Sequence, residues 1–215
     1  MKKTNFFYLL GALLFLLITV PLAQDLGLEE SPMTRAIVYS ILLLTGVWSL
    51  RGGRLYLAGF VFVIAGIALS AIATSTDAPA LYYASTLAIF GFLMVAISHA
   101  LKQVVFGTEM NVNRLVGAIC VFLLLGIIWS FAYSMLELAV PGSFSGLDPG
   151  HDPRSDSSWI YFSFVTLTTL GYGDITPESA VARTLAYIQA VVGLFYMAVL
   201  VAGLVSAYIS DKQGS

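Results

Sequence analysis

The chain has 215 residues, of which 59% are hydrophobic and only 10% charged, and its mean hydropathy is +0.90. A water-soluble domain carries about 25% charged residues, so a soluble globular enzyme and a disordered chain are both excluded. Ten basic against twelve acidic residues give a net charge of −2, which leaves no basic excess for a nucleic-acid backbone. The single cysteine, Cys120, lies in an apolar run, so neither an intrachain disulfide nor a cysteine metal cluster can form.

The bilayer is the expected solvent, and a helix needs about 20 mostly apolar residues to cross it. Six segments are predicted in chain order: 6–23, 36–50, 55–73, 78–101, 115–136 and 180–210. The first follows Lys2 and Lys3, a pattern shared with secretory signal peptides. A cut after Ala23 would put Pro21 where a small residue is wanted, so a retained anchor is expected. The second segment is short and bounded by Arg35 and Arg51. It must thin the bilayer or let those arginines snorkel.

Basic residues orient the crossings. Lys2, Lys3, Arg51, Arg54, Lys102, Arg114 and Lys212 fall on one side, and Arg35, Arg154 and Arg183 on the other. Seven against three places both termini in the cytoplasm. A short chain beginning Met-Lys-Lys points to a bacterial inner membrane.

Between the fifth and sixth segments lie 43 residues, Glu137 to Ser179. Residues 138–158 are rich in Gly, Pro, Ser and Asp and read as an exposed loop. Residues 159–169 are apolar but too few to cross. Leu170-Gly171-Tyr172-Gly173-Asp174 follows, then Pro177. An apolar helix that enters the membrane and returns as Gly-rich backbone is a re-entrant loop. Such backbone is tolerated at that depth only where protein buries it or water lines it.

The run Thr168-Thr169-Leu170-Gly171-Tyr172-Gly173-Asp174 resembles the selectivity filter of potassium channels. The resemblance extends over residues 115–210 in the order outer helix, turret, pore helix, filter, inner helix. It implies an all-α membrane protein of six transmembrane helices, with the re-entrant pore helix and filter loop between helices 5 and 6. Potassium ions would be held by Thr169, Leu170, Gly171, Tyr172 and Gly173, with no other cofactor. Carbonyls that all face one axis require alternating backbone dihedrals, which Gly171 and Gly173 accept without a Cβ clash. Leu170 stands where Val is commonest, a departure that touches filter stiffness more than ion class. One filter per chain implies a homotetramer.

The resemblance also implies supporting roles. Asp174 would draw cations to the outer mouth. Trp159, Tyr161 and Phe162 would wedge against Tyr172 and hold the filter diameter. Glu137 stands where relatives brace the outer pore with a Glu, although an ordinary interfacial acid fits equally. Val165 stands where some bacterial channels carry a Glu. The end of the pore helix near Thr168 would aim its negative dipole at the cavity. Gly193, Met197, Val201, Val205 and Ile209 recur every four residues and share one face of the sixth helix. Gly193 would be the hinge or a packing glycine. Val205 and Ile209 would form a constriction, and Gly203 offers a second bend or a close contact.

Voltage-gated relatives carry a row of arginines on the fourth helix, since each charge moved through 100 mV supplies about 2.3 kcal/mol. Residues 78–101 contain no Lys or Arg, and Lys102 stands alone at the inner end. The expected organisation is a four-helix module without a voltage sensor (1–101), an interfacial linker (102–114), the pore domain (115–210) and a short tail (211–215). Any ligand control would come through the helices, the loops or another regulatory subunit. His99 and His151 read as ordinary polar residues before they read as pH sensors. Partners are then lipid, K+ and further copies of the chain, with no nucleic acid.

The expected function is passive, potassium-selective conduction that is not intrinsically voltage-gated. A weakly selective monovalent cation channel and a subunit of a potassium uptake transporter are the alternatives. Such transporters use four different loops in one long chain, whereas this chain has one loop with a full Gly-Tyr-Gly-Asp. No Ser/His/Asp set, HExxH run or intramembrane carboxylate pair supports an enzyme.

Overall fold

The computed structural model describes residues 6–26, 55–76, 79–106, 112–147 and 156–213. The crossing expected at 36–50 lies outside them, as do Lys2, Lys3, Arg35, Arg51, Arg54, His151 and Arg154. The chain divides into two compact units, Met1–Leu124 and Leu125–Ser215.

In the first unit, α1 spans Phe6–Asp25, α2 Leu55–Thr76 and α3 Pro79–Phe106. Pro79 opens α3 at a position where the missing N–H has no intrahelical partner to lose. Residues α2 and α3 pair through glycines that admit larger neighbours. A Cβ on Gly91 would lie 2.8 Å from the Phe62 ring, and one on Gly66 would lie 3.3 Å from Ile89. Small residues of this kind let membrane helices approach closely where no hydrophobic force drives them together. The next helix, α4, spans Val112–Ala139. The Phe6 amide donates to the Asn113 side chain at 2.8 Å, the Phe6 ring fills the space beside Gly117, and the Cys120 thiol donates to the Phe6 carbonyl at 3.6 Å.

The segment expected as a linker, 102–114, is helical at both of its described ends. No Gly or Pro interrupts the chain between Leu101 and Phe106, so α3 continues through Lys102 to Phe106, and α4 already begins at Val112. Arg114 donates from Nε to the Val104 carbonyl at 2.6 Å and satisfies one of the orphan acceptors at the end of α3.

The second unit contains the rest of α4, β1 (Phe144–Ser145), α5 (Asp156–Leu167), β2 (Thr176–Pro177) and α6 (Ala180–Gln213). The two short strands pair antiparallel, with Phe144 opposite Pro177 and Ser145 opposite Thr176. Ser179 caps α6, its hydroxyl accepting the Ala182 amide at 3.2 Å. The core is aromatic: Tyr133, Phe144, Trp159 and Phe162 are buried together with Ala182. Their rings meet edge to face, Tyr133 with Phe162 at 4.8 Å and Phe144 with Trp159 at 5.1 Å, the geometry the ring quadrupoles favour.

Among the described residues, three helical stretches are long and apolar enough to cross a membrane: Tyr83–Val104, Val112–Ala139 and Ala180–Leu200. Phe6–Leu22 is a shorter apolar stretch. The protein is mostly helical and multi-pass. The expected short apolar helix is present and stops at Leu167, too short to cross, and the chain then continues to β2.

Candidate functional site

The site begins where α5 ends. The Thr169 amide donates to Thr166 O at 3.0 Å and the Leu170 amide to Val165 O at 2.9 Å. These two bonds form a Schellman motif, the common way to satisfy the last carbonyls of a helix. The residue after the cap in this motif takes a left-handed conformation and is usually Gly. Here it is Thr169, with φ +58°, which is strained backbone for a β-branched residue. The Gly171 amide also reaches Val165 O, at 3.4 Å. The strand from Thr169 is therefore tied at its start to the last turn of α5.

Beyond Thr169 the sign of φ alternates. Gly171 has φ +57° and Gly173 φ +81°, while Leu170 and Tyr172 between them keep ordinary negative φ. The strand is open on its outer side: Leu170 is 55% and Tyr172 68% exposed. Its far end is held at Asp174, whose Oδ2 accepts the Tyr161 hydroxyl at 2.5 Å. That bond, before all other causes, holds the Asp174 carboxyl below the usual carboxylate range. Gly146, with φ +83°, backs the same point from the turret, and a Cβ there would lie 1.7 Å from the Asp174 carbonyl oxygen.

The turret is held on the same frame. Glu137 is buried at the end of α4. Its two oxygens accept the amides of Gly142 at 2.7 Å and Phe144 at 3.1 Å, so it braces the turn into β1. Ser145 donates to Glu178 at 2.8 Å and meets the Thr176 hydroxyl at 2.7 Å. Glu178 also pairs with Arg183 at 3.4 Å. The Ser145 bond first, and the Arg183 charge after it, hold the Glu178 carboxyl below its ordinary value.

The residues expected to support the filter are not all in one place. Tyr161 reaches Asp174, while the rings of Trp159 and Phe162 meet those of Phe144 and Tyr133. The turns of α5 set this: positions 159 and 162 share the face toward α4 and β1. Gly193 lies against the end of α5, where a Cβ would stand 2.1 Å from the Leu167 carbonyl oxygen. Met197 is exposed on α6. The side chains of Val201, Val205 and Ile209 lie outside the described set.

One group had no counterpart in the sequence reading. Gln189 on α6 is 0% exposed. Its Oε1 accepts the Tyr133 hydroxyl at 2.5 Å, and its Nε2 donates to Ser163 O at 3.0 Å and Ser163 Oγ at 2.7 Å. Ser163 in turn donates to the Gly126 carbonyl at 2.6 Å. A glutamine inside an otherwise apolar crossing was the available signal.

Residues 121–210 match a family model described as ion channel. "Two pore potassium channel c" of Oryza sativa subsp. japonica is 41% identical over 76 residues, 35% of this chain and 16% of that protein. "Two-pore potassium channel 3" of Arabidopsis thaliana is 43% identical over 56 residues, 26% of this chain and 13% of that protein. The chain thus spans less than a fifth of the length of the curated relatives it matches. No solved structure matches it. A short helix capped into a strand of alternating φ, set between two long apolar helices, lies within that match. Part of the chain is thus similar to an ion-channel family and to segments of plant two-pore potassium channels.

Proposed function

We propose that the protein conducts potassium passively through a ring of backbone carbonyls contributed by residues 169–173. The observation that carries this is the alternation of φ at Thr169, Gly171 and Gly173 against Leu170 and Tyr172. Alternating left- and right-handed residues turn successive carbonyls to one side, the arrangement that replaces the hydration shell of an ion. The Thr169 hydroxyl adds an oxygen at the inner end. Asp174 stays ionised at the outer end and attracts cations. Val165, where some bacterial relatives would carry a second carboxylate, contributes only its backbone oxygen.

The same strand supports a homotetramer. Leu170 and Tyr172 lie open in the single chain, and non-helical backbone at membrane depth needs protein or water around it. Three further copies around one axis would cover the outer side of each strand and leave the inner side to ions. The conductance is not intrinsically voltage-gated, since α3 carries Lys102 at its inner end and no row of arginines. The remaining architecture follows the sequence: six crossings, both termini in the cytoplasm, a bacterial inner membrane, and the lower part of α6 as the gate.

The test is the reversal potential of purified protein in planar bilayers, with potassium on one side and sodium on the other. A reversal near the potassium equilibrium potential, lost in Gly173→Ala, is expected. A reversal near zero in the native protein would remove the selectivity and leave a general cation pore.

A further inference from the structure

We propose that Gln189 is a positioning residue of the filter: its carboxamide ties the inner helix to the pore and outer helices and thereby sets how strongly the pore favours potassium over sodium. The inference rests on the reading of residues 169–173 as a potassium filter.

Three elements of the second unit meet at this one side chain. Tyr133 comes from α4, Ser163 from α5 and Gln189 from α6. The bonds run in one direction, from the Tyr133 hydroxyl to Gln189 Oε1, from Gln189 Nε2 to Ser163, and from the Ser163 hydroxyl to Gly126. The amide uses its oxygen and its nitrogen, and Ser163 Oγ both accepts and donates. A fully satisfied buried network fixes one arrangement, because each alternative strands a polar group in a low dielectric.

Its place in the fold directs that rigidity to the filter. Gln189 and Gly193 lie one turn apart on α6, and they meet Ser163 and Leu167, one turn apart on α5. The polar tie and the close glycine contact therefore register α6 against the last turn and a half of the pore helix. That stretch includes Val165 and Thr166, whose carbonyls hold the amides of Thr169, Leu170 and Gly171. A shift at Ser163 moves those carbonyls and the filter strand hung from them. An apolar side chain would pack at position 189 in a membrane interior, so packing alone does not call for an amide. Interhelical hydrogen bonds of this kind hold membrane helices together.

The test compares the native protein with Gln189→Leu, Tyr133→Phe and Gln189→Glu. Each is purified, its assembly is checked by size exclusion and native mass, and its potassium-to-sodium permeability ratio is read from reversal potentials in planar bilayers. Gln189→Leu is expected to assemble and to lose selectivity by about tenfold, the factor equivalent to one buried hydrogen bond. Tyr133→Phe, which removes a single oxygen, is expected to change it in the same direction by less. Gln189→Glu supplies a readout that packing does not move. Protonated, its carboxyl still accepts from Tyr133 and donates to Ser163. Ionised, it faces the Ser163 oxygens without a proton. Tyr133 is the titratable group facing the amide, from α4, and α5 presents the neutral Ser163. The variant's selectivity is therefore expected to fall from acid to alkaline medium while the native ratio holds. Assembled Tyr133→Phe and Gln189→Glu with the native ratio, flat in pH, would overturn the inference even if Gln189→Leu failed to assemble. A native protein that does not select potassium would instead overturn the reading on which the inference rests.

Discussion

Replacing Gly193 by Ala discriminates between two uses of a glycine in the inner helix. If Gly193 serves bending, Ala removes a flexible point and stabilises the helix by about 0.5–1 kcal/mol. The structure predicts the opposite sign. A Cβ at 193 would stand 2.1 Å from the Leu167 carbonyl oxygen and 3.0 Å from its carbon, and real Cβ contacts essentially never fall below 3.0 Å. Relief requires α6 and the end of α5 to separate by about 1 Å, and overpacking of this kind costs about 1–3 kcal/mol. After the gain in helix propensity, a net loss centred at about 1 kcal/mol per subunit and reaching about 2.5 kcal/mol remains. The Leu167 carbonyl lies beside the filter cap, so the separation also disturbs the Thr169 backbone. The assay is thermal unfolding of the detergent-solubilised protein, with single-channel recording of the same sample. Gly203→Ala is the control, because a Cβ there meets nothing within 4 Å in the subunit. A lower transition temperature for Gly193→Ala together with a native or higher one for Gly203→Ala is expected. A Gly193→Ala protein at least as stable as the native one would refute the close-contact argument.

Two further substitutions probe the frame around the filter. Glu137→Ala leaves the amides of Gly142 and Phe144 without their acceptors, at about 1–3 kcal/mol for the buried Phe144 donor and less for the Gly142 amide, which water can reach. Faster hydrogen–deuterium exchange at residues 142–144 is expected, and unchanged exchange would show that the carboxylate does not brace the turret. Tyr161→Phe removes the bond that chiefly lowers the Asp174 pKa. A depressed carboxylate pKa contributes stability that is present above the unfolded value and lost as pH falls through the folded one. In the Phe variant the folded value rises toward the ordinary range, so Asp174 loses its charge at a higher pH. External acid should then reduce the current at a higher pH than in the native channel, and coincident acid profiles would count against this role for Tyr161.

The short helix and the glycine-bearing loop after it were legible because their signals are local. Gly171 and Gly173 sit two apart, which matches the period of the φ alternation that the backbone adopts. An apolar stretch too short to cross could only re-enter, and α5 does stop at Leu167. Helix ends were less legible because the signal for stopping is weak: nothing in Lys102-Gln103-Val104-Val105-Phe106 halts a helix, so α3 runs past the end expected at Leu101. The support of the site was hidden for a different reason. Trp159, Tyr161 and Phe162 read alike as aromatics beside a filter, yet α5 turns two toward the core and one toward Asp174. Sequence spacing gives the angle between residues on a helix but not which face meets which neighbour. Gln189 shows the same gap at longer range. Its partners stand 26 and 56 residues away, on helices whose packing only tertiary structure defines. By sequence Gly193 fits a hinge or a packing glycine, and the contact that bears on the choice is a carbonyl 26 residues earlier in the chain. On the proposed reading a filter needs both kinds of information: the motif would write the ion's coordination into consecutive residues, while the stiffness behind selectivity would be distributed over side chains that meet only after folding.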